Sequence, residues 1–230
     1  MENKKNESVS KGFILAGFEK ILYWTASKTS VILGFYLFKD YPQTDFSDDY
    51  IRKSNNRVDL FNVLFWIIAA LSYFIMLRFT GFITVVFLII VVVRIINIVA
   101  YNLFNIFANN NNVVNNRTIA QIVNARRSLL YAIINYIELI ILFASIYAKF
   151  SSHINIVSSQ ADSLVYLYFS NISQLTIGYG DIVPKDFIRF VVSIQGMIGL
   201  LLVALTIGKL VGMIPMGELR PSSSEIGDSQ

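Results

Sequence analysis

The sequence predicts an all-α membrane protein with four transmembrane helices and one short buried helix. Three observations carry this. Of the 230 residues, 55% are hydrophobic and only 15% are charged, well under the roughly 25% of soluble domains. A soluble globule has no means of hiding that much apolar surface. Apolar runs of about 20 residues, enough to cross a hydrocarbon core at 1.5 Å per residue, recur along the chain. Finally, cysteine is absent and His153 is the one histidine. There is then no disulfide framework or thiolate chemistry, and a histidine-based catalytic or metal centre is nearly excluded.

The chain opens on a polar stretch, MENKKNESVSKG. The run after it, FILAGFEKILYW (13–24), is broken by Glu19 and Lys20. A signal peptide needs an uninterrupted apolar core, so no cleaved signal is expected. Residues 12–38, interrupted again by Lys28, read best as an amphipathic helix lying on the inner leaflet, with a fifth spanning helix as the alternative. Residues 1–57 are thus expected to be a cytoplasmic or interfacial region.

Two spanning candidates follow, DLFNVLFWIIAALSYFIML (59–77) and FITVVFLIIVVVRIINIVAY (82–101). Arg78-Phe79-Thr80-Gly81 separates them, which predicts an accessory hairpin over 58–101. Residues 102–125 are rich in asparagine and read as a cytoplasmic connector. SLLYAIINYIELIILFASIYAKF (128–150) is the third span. SLVYLYFSNISQL (163–175) is apolar but too short to span, with Asp162 and Ser163 as candidate N-terminal caps. The last span is FIRFVVSIQGMIGLLLVALTIGKLVGMI (187–214), closed by Pro215. The tail, 215–230, is too short for a nucleotide- or calcium-binding domain.

Basic residues give the orientation. Lys4, Lys5, Lys11, Lys20, Lys28, Lys39, Arg52, Lys53 and Arg57 precede the first span, and Arg117, Arg126 and Arg127 precede the third. The first hairpin turn has only Arg78. The positive-inside rule then places both termini and the connector in the cytoplasm of a multi-pass cell-membrane protein.

Between the short helix and the last span stands TIGYGD, Thr176 to Asp181. It has no helical periodicity. Irregular backbone at membrane depth must be buried in protein or line a water-filled cavity. Glycine takes left-handed angles without steric cost, and residues of alternating hand turn successive carbonyls to one side. One such strand encloses nothing. Several around a symmetry axis make rings of oxygens.

TIGYGD resembles the filter signature of potassium channels, and residues 126–214 resemble their pore domain: outer helix, pore helix, filter and inner helix. The resemblance implies a homotetramer around one pore, conducting dehydrated K+ as the permeant ion. The ligands would be Thr176, Ile177, Gly178 and Tyr179, with Ile177 where valine is commoner. Gly180 would shape the outer mouth. Asp181, Tyr168 and Phe169 would support the filter, and Tyr166 with the latter two would form a cuff around Tyr179. Some family members pair the aspartate after GYG with a pore-helix glutamate. Here that position is Ile172, so Asp181 is expected to lack that partner. Gly199 is the candidate gating hinge in the inner helix, and its replacement by alanine is expected to alter opening but not ion preference. Gly208 and Gly212 form a GxxxG pair suited to close packing, and Lys209 is expected to snorkel to the interface.

Charges inside spans are costly and are usually paired or functional. Arg94 and Glu138 lie at similar depth and are expected to pair, docking the hairpin on the pore. A lone Arg94 does not make a voltage sensor. His153 is expected to be a solvated loop residue, with external proton sensing as the alternative. Neither Glu138 nor Asp181 has a plausible catalytic partner, and no phosphate loop or metal cluster is legible, so no enzyme is expected; no nucleic-acid partner is expected either. Lipid is the expected surrounding, and the gating ligand or protein partner is open. The alternatives to a potassium channel are a weakly selective cation channel, or a non-conducting transport-accessory subunit.

Overall fold

The computed structural model describes residues 13–32, 48–107, 125–157 and 162–212. The tail from 215, most of the Asn-rich connector and residues 1–12 and 33–47 lie outside them. The described chain forms α1 (Phe13–Ile32), α2 (Asp48–Arg78), α3 (Phe82–Phe107), α4 (Ala125–Lys149), β1 (Ile154–Ile156), α5 (Val165–Gln174), β2 (Ile182–Pro184) and α6 (Ile188–Gly212).

Among the described residues, four helical stretches are long and apolar enough to cross a membrane: Asp59–Arg78, Phe82–Phe104, Leu129–Lys149 and Ile188–Gly208. α2 starts at Asp48, so helix runs unbroken through the expected boundary at 57/58. The segment DDYIRKSNNRV contains neither glycine nor proline, and nothing in it stops a helix. Between α2 and α3, Gly81 takes φ +98°, a left-handed angle that closes the turn at little cost because glycine has no Cβ.

α4 is the hub. Residues 142–148 are all buried, and α4 packs against α2, α3, α5 and α6. Leu139, Leu142, Phe143 and Tyr147 join Val91 and Ile98 of α3, Phe169 and Ile172 of α5, and Ile188 and Leu202 of α6 in one core. Apolar burial gives helices no driving force for association inside lipid, where contact and interhelical hydrogen bonds hold a bundle. Such bonds are present. The Tyr73 hydroxyl donates to the Ser163 carbonyl, Tyr131 to Asp59, and Lys149 Nζ to Thr84 Oγ1 at 3.0 Å.

α1 packs on the bundle, running antiparallel beside the later part of α3. The Tyr23 ring lies 5.7 Å from Phe104, while Thr29, further along α1, accepts from Asn97, earlier in α3, at 3.0 Å. Leu22, Ala26 and Thr29 recur at helical spacing and are buried, so this stripe is covered by α3.

β1 and β2 form an antiparallel ribbon with Ile154 opposite Pro184 and Ile156 opposite Ile182. It ties the segment after α4 to the segment after TIGYGD.

Candidate functional site

The loop 176–181 hangs from the last turn of α5. Leu175 N donates to Asn171 O at 3.0 Å, Thr176 N to Ser173 O at 3.1 Å, and Ile177 N to Ile172 O at 2.8 Å. Beyond this the sign of φ alternates. Thr176, Gly178 and Gly180 have φ of +58°, +56° and +82°, whereas Ile177 and Tyr179 between them keep negative φ. Two of the three left-handed positions are glycine. The third, Thr176, is β-branched and is a genuine outlier there; such a residue costs of order 1–3 kcal/mol and persists where its surroundings dictate it. Alternation of this kind turns successive carbonyls toward one side, and residues 175–180 are exposed in the single chain, with Tyr179 70% exposed.

The far flank of the loop is anchored twice. Val157 N donates to Asp181 O at 3.0 Å, extending the β-ribbon. Tyr168 Oη donates to Asp181 Oδ2 at 2.9 Å. Asp181 therefore has a partner on α5, one turn before the apolar Ile172. The Tyr168 phenol is pushed above its ordinary value, first because it donates to this carboxylate. Phe169, grouped with Tyr168 in the expected cuff, instead faces α4, its ring 4.9 Å from that of Tyr147. One residue along a helix is a turn of about 100°, which carries Phe169 into the core. Tyr166, partly buried, packs against the cluster of Tyr73, Met76, Ala144 and Ala148.

The caps also differ from expectation. The α5 N-cap is Leu164, without a side-chain cap. Asp162 Oδ1 accepts from Leu164 N at 2.9 Å, so it closes the turn before the helix rather than its first turn. His153 is half-buried and paired: Nδ1 lies 2.8 Å from Asp186 Oδ2, and its ring meets Phe187 edge-on at 5.1 Å. His153, in the turn after α4, thus holds the turn that leads into α6.

Beneath the loop is a buried polar group that the sequence reading missed. Ser170 and Gln174 on α5, Gln195 on α6 and Tyr147 on α4 are each at most 2% exposed. Tyr147 Oη donates to Gln195 Oε1 at 2.5 Å. Gln195 Nε2 donates to Ser170 O at 3.0 Å, Ser170 Oγ at 2.8 Å and Gln174 Oε1 at 3.1 Å. Gln174 Nε2 reaches on to Tyr136 O at 2.8 Å. The available signal was the polar pair Ser170 and Gln174 at i, i+4 in an apolar segment, matched by Gln195 in an apolar span.

Gly199 lies one turn along α6 from Gln195. A Cβ built on it would come 2.7 Å from Gln174 O and 3.0 Å from Gln174 Cγ. The glycine is thus required for close approach, and the expectation that alanine there spares ion preference loses its basis. A Cβ on Gly208 would meet nothing within 4 Å among the described residues.

Away from the loop, Arg94 Nε and Nη2 bind Glu138 Oε1 and Oε2 at 2.7 and 2.8 Å, with Arg94 3% and Glu138 0% exposed. Arg94 Nη1 donates to Asn97 Oδ1 at 3.1 Å and Nη2 to Asn62 Oδ1 at 3.3 Å. Its guanidinium sits over the rings of Phe65 and Phe61, 4.5 and 5.2 Å from their centres. The pair joins α3 to α4.

The loop thus continues a short helix's end, with alternating hand, pinned between two spanning helices. Residues 135–215 match a family model described as Ion channel. The ion-channel match begins within α4 and takes in β1, α5, the loop, β2 and α6; α1, the α2–α3 hairpin and Arg94 fall outside it. It supports ion-channel function for this chain. No curated protein and no solved structure matches.

Proposed function

We propose that the protein is a potassium-selective channel in which four chains surround one pore. Thr176, Ile177, Gly178 and Tyr179 supply the oxygens that replace the water shell of K+, the permeant substrate. The observation that carries this reading is the left-handed backbone at every second residue of Thr176–Gly180. It is the arrangement that lets consecutive carbonyls face a common axis. α5 would be the pore helix, with the partial negative charge of its C-terminal end favouring a cation in the cavity below.

Fourfold assembly is supported by what one chain leaves uncovered. Tyr179 is exposed, and α6 is only 17% buried over its span, against 56% for α4. Phe190, Met197, Leu200 and Ile207 of α6 are exposed. The loop lies at the outer face and both termini in the cytoplasm, with Arg94 bonded to Glu138 rather than serving as a voltage sensor.

Native mass spectrometry of the detergent-solubilised protein, together with calorimetric titration of KCl and NaCl, tests this reading. Four chains per particle and heat of binding from K+ alone support it. A dimer, or equal response to both salts, overturns it.

A further inference from the structure

We infer that Gln195 is the positioning residue of the ion path, clamping the base of the 176–181 loop from α6. The inference rests on the channel reading, but the clamp itself is built from contacts within one chain. Gln195 bonds α4 through Tyr147 at 2.5 Å and α5 through Ser170 Oγ at 2.8 Å and Gln174 Oε1 at 3.1 Å. It is 0% exposed, as are Tyr147 and Ser170. A side-chain amide has one accepting oxygen and two N–H donors. Here the oxygen is taken by Tyr147, and the donors are shared among three acceptors on α5.

The clamped turn is the one from which the loop hangs. Gln174 is the last residue of α5 and stands two residues before Thr176. Its side chain is held on both sides, by Gln195 and by the Tyr136 carbonyl at 2.8 Å. Its backbone oxygen faces Gly199 with no room for a Cβ. Gln195 and Gly199, four residues apart on α6, therefore grip the same residue, one by hydrogen bond and one by contact. Thr176 N, Ile177 N and Gly178 N all donate to carbonyls of this turn, those of Ser173 and Ile172. A shift of α6 at this level reaches Thr176 and Ile177 through a continuous chain of bonds.

The test uses the full chain with two readouts. One is the K+ over Na+ permeability ratio in liposomes. The other is amide hydrogen exchange of the 174–178 peptide in detergent, which needs no conduction. In Gln195→Leu the Tyr147 hydroxyl and Gln174 Oε1 lose their partner while buried. About a tenfold faster exchange in 174–178 and a comparable fall in the permeability ratio are expected, from the cost of leaving a buried polar group unpaired. Adding Tyr147→Phe removes the orphaned hydroxyl and should restore thermal stability, but neither readout, because Gln174 stays unclamped. A merely structural role for Gln195 would have both readouts return with stability. Should Gln195→Leu not assemble, Tyr147→Phe alone decides, with a smaller change of the same sign expected. Wild-type exchange and permeability in either assembled variant overturn the inference. A wild-type protein that does not select K+ overturns the channel reading instead, and the exchange data still judge the clamp.

Discussion

Gly199 of α6 faces the backbone oxygen of Gln174 so closely that a Cβ would lie 2.7 Å from it. Backbone cannot swing aside as a flexible side chain can. Gly199→Ala must therefore displace the end of α5 or push α6 away, an overpacking that costs about 1–3 kcal/mol. Because Thr176 follows two residues after Gln174, the displacement reaches the loop. Single-channel recording should show altered open times together with altered K+ over Na+ preference. A change in open times with preference untouched would favour a hinge over a contact.

The Arg94–Glu138 pair is built for one orientation of charge. Neutralising either partner leaves the other buried and unpaired, which costs about 3–5 kcal/mol; Arg94→Met or Glu138→Gln should lower the melting temperature and loosen the hairpin from α4. Exchanging the two charges should rescue only part of the loss. A glutamate at 94 would lie against Phe61 and Phe65, whose ring faces favour a cation. Replacing both residues by methionine should recover more than the exchange does. Equal recovery would show that the rings contribute nothing.

Gly178 has φ +56°, and among the described residues nothing lies within 4 Å of where its Cβ would be. The cost of Gly178→Ala is then conformational, roughly 1–2 kcal/mol per chain from the left-handed backbone. Helix content and assembly should be unchanged while K+ flux falls sharply. Undiminished flux would mean that the conducting loop does not keep this backbone.

Tyr168 and Asp181 brace the loop from its far side. The Tyr168 phenol is raised above its ordinary value of 10.0, so the protonated form is the one the fold favours. Its contribution is then fully present below the unfolded-state value and lost only as pH rises through the raised one. The support it gives the loop should therefore be constant from about pH 6 to 9. Tyr168→Phe should lower the K+ over Na+ permeability ratio severalfold at all of these pH values. An effect confined to one end of this range would contradict the brace.

The four spans were legible because each carries an apolar run of its own, and the loop because two glycines interrupt such runs where no soluble turn is needed. The β-ribbon was not: INI and IVP have three residues each, too few for alternation to register, and they pair across the whole of α5. The packing of α1 on α3 is not legible because Glu19, Lys20 and Lys28 break its apolar run, while the short stripe of Leu22, Ala26 and Thr29 carries the contact. Gln195 was overlooked because one amide barely alters the hydropathy of an apolar span. Its meaning lies in Ser170 and Gln174, which only the fold brings within 3.1 Å.

The central claim is that backbone oxygens of Thr176–Tyr179 from four chains select K+. The most direct measurement is ion flux from liposomes holding the purified protein, with K+ and Na+ gradients compared. Flux driven by the K+ gradient and absent with the Na+ gradient is the expected result; comparable flux with both would contradict it.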